Sequence, residues 1–138
     1  MSDRIENTIL TNLFHNENYT RKALPFIKPH YFSKKDEREL YVEVEKFVLK
    51  YKNLPTKEAI LIELNHRKDL NEEEYKGIKD LVNGISYEET DLQWLLDTTE
   101  KFCKDRAVHN AVLDGIKILD NKDKTRTTMV VRYYRKVL

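Results

Sequence analysis

The stretch from Asp91 to Asp120, DLQWLLDTTEKFCKDRAVHNAVLDGIKILD, limits what this chain can fold into more than any other: it runs without a proline and with a single glycine, Gly115. Its apolar residues are Leu92, Leu95, Leu96, Phe102, Cys103, Val108, Val112, Leu113, Ile116 and Leu119. They recur mostly three or four apart, the spacing that one face of a helix requires. A helix over this span would be roughly 45 Å long at ~1.5 Å per residue. The core of a 138-residue chain cannot bury a helix of that length. The surplus stripe is therefore expected to meet a partner helix, and Leu92, Leu95, Phe102, Val108, Val112, Leu113, Ile116 and Leu119 form the candidate self-association interface.

The length favours one domain. With 36% charged and 40% apolar residues the chain has the make-up of a soluble globular protein, and three glycines with three prolines leave few breakpoints. Helices are favoured over a turn-rich sandwich. The formal charge of +1 argues against a protein that coats nucleic acid, yet it hides an asymmetry. Residues 122–138 set Lys122, Lys124, Arg126, Arg132, Arg135 and Lys136 against Asp123, a formal +5, which leaves −4 on residues 1–121. A lone cysteine makes no internal disulfide and fits a reducing cytoplasm. No apolar run is long enough to span a membrane, and MSDRIENTIL is not a secretory leader.

In chain order, a first helix presents Ile5, Ile9, Leu10, Leu13 and Phe14 and ends near His15 and Asn16. A second, Tyr19 to Leu24, stops at Pro25. The connector LPFIKPHYF offers Phe26, Ile27, Tyr31 and Phe32 to the core. Ser33 with Asp36 approximates a capping box for a third helix, with the face Leu40, Tyr41, Val44, Phe47, Val48 and Tyr51. Thr56 caps a fourth carrying Ala59, Ile60, Ile62 and Leu64. Asn71 before three glutamates opens a fifth, with Tyr75, Ile78, Leu81 and Val82 inward, and Asn83-Gly84 reads as a left-handed C-cap. After Asp120 the polar NKDKTRTT breaks the helical pattern, and MVVRYYRKVL suits a strand or an irregular segment better than a helix.

The residues carry little that resembles catalytic machinery. Gly77, Gly84 and Gly115 are far apart and none precedes Lys-Ser or Lys-Thr, so no phosphate-binding loop is present. His15, His30, His66 and His109 lack the pairing that holds zinc. Cys103 on an apolar face is read as a small core residue, and Glu72 to Glu74 as helix-start acids. No catalytic residue, cofactor or metal is expected. Trp94, which either completes the core or anchors a partner, and Arg106 are candidate partner anchors. Arg132, Tyr133, Tyr134, Arg135 and Lys136 combine cations with aromatics and are candidates for weak nucleic-acid contact.

The run Glu6, Ile9-Leu10, Leu24-Pro25, Pro29-His30-Tyr31-Phe32, Glu37-Arg38-Glu39-Leu40-Tyr41, Val44, Tyr51, Leu54-Pro55-Thr56 and Ala59-Ile60 resembles the amino-terminal domain of DnaB-type replicative helicases. Glu73-Glu74-Tyr75, Gly77-Ile78-Lys79, Trp94-Leu95, Thr99-Glu100-Lys101, Arg106-Ala107 and Asn110-Ala111 look like the T-even phage branch. The resemblance covers about residues 5–120 and rests on order and spacing more than on any one motif. It implies a helical bundle followed by a hairpin of long helices; such domains pair into a collar on a hexameric ring, where the primase docks. The ATP-dependent motor is a separate domain. The sequence departs from the family pattern in its last stretch: the residues from Thr125 do not resemble the family, and the second hairpin arm, the linker helix and the motor are not among these 138 residues. A separated or shortened copy of the domain is expected.

The expectation is thus an all-α protein with a bundle over residues 1–90, a long assembly helix over 91–120 that forms the first arm of a hairpin, and an irregular basic tail over 121–138. Its function would be that of a non-enzymatic collar domain of a phage replicative helicase in the host cytoplasm, with copies of itself and a primase as partners and no membrane. The rival expectations are a free-standing helical regulator or loader-like protein, and a nucleic-acid module acting through the tail.

Overall fold

The computed structural model describes residues 2–122; the expectations for the tail, including Arg132, Tyr133, Tyr134, Arg135 and Lys136, lie outside these residues. Among the described residues all regular structure is helical. Six α-helices follow in order: α1 Ser2–His15, α2 Glu17–Ala23, α3 Lys35–Tyr51, α4 Lys57–Asn65, α5 Glu72–Asn83 and α6 Leu92–Lys122. Two 3-10 turns, Leu24–Phe26 and Pro29–Tyr31, join α2 to α3.

Local chemistry sets most of the boundaries. The Asn16 side chain accepts from the Tyr19 amide and separates α2 from α1. Pro25 and Pro29 each fall in the first turn of a short 3-10 segment, where a missing N–H costs nothing. Thr56 caps α4 by accepting from the Ala59 amide and Asn71 opens α5, both as expected, and Asn71 with Glu74 further forms a reciprocal capping box. Two expected caps differ. Ser33 does not cap α3, whose N-cap is Lys34 without a side-chain bond; its hydroxyl donates instead to the buried Glu6 carboxylate, 3.3 Å away. Gly84 is right-handed at φ −80°, and the left-handed residue that ends a helix is Lys52, φ 57°, after α3.

The core joins α1 to α6 without a break. Ile9, Leu10 and Leu13 of α1 pack in one cluster with Leu40, Tyr41 and Val44 of α3, Ile60 and Leu64 of α4, Ile78 and Val82 of α5, and Leu95, Phe102 and Cys103 of α6. The division expected at residue 90 therefore runs through a shared core, and the first turns of α6 belong to the bundle. The Phe32 ring lies 5.3 Å from Tyr41 and 6.0 Å from Phe102, centroid to centroid, so the connector plugs the space between α3 and α6. Gly77 lets α5 approach the start of α3: a Cβ there would sit 2.7 Å from the Asp36 carboxylate. Four expected core residues turn outward, Ile5 of α1 and Tyr51 at the end of α3 among them. Ile62 is exposed while Leu61 packs against the core, and Phe26 is 71% exposed although Ile27 beside it is fully buried.

Candidate functional site

Helix α6 starts at Asp91, whose carboxylate accepts from the Trp94 amide at 2.9 Å. Its apolar residues do not lie on the single face expected of them. At ~100° per residue, Leu92, Leu95, Phe102 and Cys103 cluster on one side, whereas Trp94, Val108, Val112 and Leu119 gather roughly 150° away. Leu95 is 1% exposed and Phe102 7%; both hold the chain's own bundle together. They are thereby removed from the free self-association surface assigned to them by sequence spacing. Leu92 is half-buried against the same core, and Ile116 is buried outside that cluster. Leu113 continues the bundle-facing line into solvent, while Val108, at 64% exposed, belongs to the outer stripe with the half-buried Val112 and Leu119.

The two candidate anchors have different surroundings. Trp94 is 52% exposed on the outer stripe. Arg106 is half-buried, and its Nε donates to the Tyr31 carbonyl at 2.9 Å; Asn110, one turn on, donates to the His30 carbonyl at 2.9 Å. Arg106 is thus an internal brace between α6 and the connector, a role that demanded a carbonyl distant in sequence and so left no local signal.

Two grooves flank α6 along its first half. One, of about 540 Å³, lies between α6 and the α2–connector corner, with Phe26, Tyr31, Leu96 and Cys103 on its walls. The other, of about 520 Å³, lies between α6 and α1, with Ile5, Ile9, Trp94 and Leu95 around it. Thr99 reaches both, and its hydroxyl is 2.7 Å from the Tyr19 hydroxyl in the floor between them. Burial raises the Tyr19 phenol far above its usual range, and it pushes the Cys103 thiol up to about 11. The thiol is accordingly protonated at neutral pH and packs as an apolar group.

Away from α6 the charges serve the fold. Arg67 reaches Asp69 of its own loop at 2.5 Å, which raises the guanidinium and lowers the Asp69 carboxyl, and its second contact, Glu39 of α3 at 2.5 Å, raises the guanidinium further. Lys35 of α3 pairs with Glu74 of α5. His15 titrates below its ordinary value through burial and the nearby Lys57. Among the described residues no cluster of His, Cys, Asp and Glu has the arrangement of a metal site, and no helix is long and apolar enough to cross a membrane.

No protein-family model matches the chain. It is similar to the "DnaB-like replicative helicase" of Enterobacteria phage T4, with 28% identity over 115 residues. The match covers 83% of this chain and 24% of the phage protein, so the chain spans about a quarter of that relative's length.

Proposed function

We propose that this chain acts in DNA replication as a non-catalytic, collar-type domain of a phage replicative helicase, pairing with copies of itself and presenting a surface to a primase. The observation that carries the proposal is the similarity to a DnaB-like replicative helicase over most of the chain. Its helical bundle with a long last helix suits an assembly role, because Trp94 and Val108 stand exposed on the outer side of α6, with Val112 and Leu119 half-buried on the same side, once the bundle has taken Leu95 and Phe102. A second helix laid along that side would remove several large apolar side chains from water at about 25 cal/mol per Å². Unwinding would reside in a separate motor domain that supplies the nucleotide site. The primase contact is proposed on the family resemblance alone.

Sedimentation equilibrium tests the assembly role. The chain should form a dimer or a larger species, and Val108→Asp with Leu119→Asp should return it to a monomer of unchanged helicity. A wild-type chain that stays monomeric at every concentration would remove self-assembly from the proposal. Titration calorimetry with the primase of the same replication system tests the partner, and absence of heat with an assembled sample would remove the primase.

A further inference from the structure

Phe26 is the most exposed large hydrophobic residue among those described, yet the connector that carries it is firmly held. The Tyr41 hydroxyl donates to the Ile27 carbonyl at 2.9 Å, Asn110 to that of His30, Arg106 to that of Tyr31, and Arg38 to that of Phe32 at 3.0 Å. Side chains from α3 and α6 thus fix the backbone around an aromatic ring that the core does not use. A rigid exposed aromatic beside a concave surface has the form of a binding anchor, since little ordering remains to be done on association.

The concave surface is the 540 Å³ groove, with Phe26 and Tyr31 on one wall. On α6 its lining residues Leu96, Thr99, Cys103 and Ala107 follow a three-four-four spacing, which makes a straight strip roughly 16 Å long at ~1.5 Å per residue. That length matches about three turns of a helix laid in the groove. The charges at its mouth are Lys22, Lys104 and Glu100. Lys104 pairs with Glu100 on the same exposed helix face at 2.9 Å, whereas Lys22 stands without an ion pair among the described residues. The rim therefore carries a net positive charge. Residues 123–138, with five basic side chains against one acidic, are mismatched to such a rim.

We propose that this groove docks the apolar face of an acidic amphipathic helix from another protein, with Phe26 as the anchor and Lys22 selecting the charge. The proposal draws on the assembly-domain reading for the partner being a protein; its geometry stands apart from the outer stripe of α6.

Fluorescence anisotropy with the full chain provides the test. The probe is a labelled peptide of about 15 residues, near the length at which a helix begins to hold in water, with leucines at helical spacing and glutamates on the flanks. A second probe has lysine in place of every glutamate. The acidic probe should bind at least tenfold more tightly, about 1.4 kcal/mol. Phe26→Ala, at an exposed position that leaves the core intact, should weaken it by a similar factor, and Lys22→Glu should abolish the preference for the acidic probe. Equal binding of both probes, or acidic binding that survives Phe26→Ala, would overturn the proposal. Loss of self-association in Phe26→Ala without probe binding would also overturn it and give the groove to a second copy. Probe binding by a wild-type chain that sediments as a monomer would remove the self-assembly role and leave the groove standing.

Discussion

Ser33 shows how a residue can satisfy a local rule and follow a distant one. Its spacing to Asp36 approximates a capping box, but the Glu6 carboxylate, fully buried on α1, lies within reach of the hydroxyl and accepts its hydrogen bond. A buried carboxylate without donors is costly, whereas a helix end at the surface can turn to water. The substitution Ser33→Asp separates the two roles. Aspartate is as good an N-cap as serine, so a capping role makes the change nearly neutral. As the donor to Glu6, serine cannot be replaced by a second acid, and the loss should be about 1–2 kcal/mol in urea-monitored unfolding. Thr56 and Asn71 were readable from sequence because their acceptors and donors lie three residues away. Arg106 was not, because its acceptor is seventy-five residues distant.

At the scale of the element, α6 is the clearest case of a pattern correctly assigned to a helix and incorrectly assigned to a face. Three-four spacing holds among Leu92, Leu95 and Leu96 and again between Val108 and Val112, but the five-residue step from Cys103 to Val108 turns about 140° at ~100° per residue and carries the later residues around to the other side. The consequence is a division of labour along one helix. Phe102→Ala should destabilise the monomer by about 3 kcal/mol or more, since it opens a hole beside Phe32 in the core. Val108→Asp should leave monomer stability within about 0.5 kcal/mol. Thermal melts of the two variants check this, and equal losses would show that Val108 is packed in the monomer.

Across the molecule, Arg67 fastens the loop between α4 and α5 to Glu39 and Glu43 of α3, and it braces the loop internally through Asp69. The Asp69 carboxyl is lowered first by its hydrogen bond to Arg67. A carboxyl whose folded value is depressed binds fewer protons folded than unfolded, so its stabilisation is present above the ordinary aspartate range and is lost as pH falls through the lowered value. Asp69 is exposed, and solvent screens the pair. The wild-type chain should therefore lose stability on acidification, and Arg67→Met should flatten that part of the curve between neutral pH and the lowered value. Parallel curves for the two proteins in denaturant titrations at several pH values would show that the pair contributes nothing.

The residue pattern is enough to show that residues 2–122 are helical, where all six helices begin to within a few residues, and which residues open α4 and α5. These follow from periodicity, proline and capping groups, whose physics acts within four residues. Tertiary structure alone decided that Leu95 and Phe102 face inward, that Phe26 faces out, that Ser33 serves Glu6, and that a groove runs beside α6. Each depends on how helices far apart in sequence pack, and the choice among apolar faces is made by the space that the other helices leave.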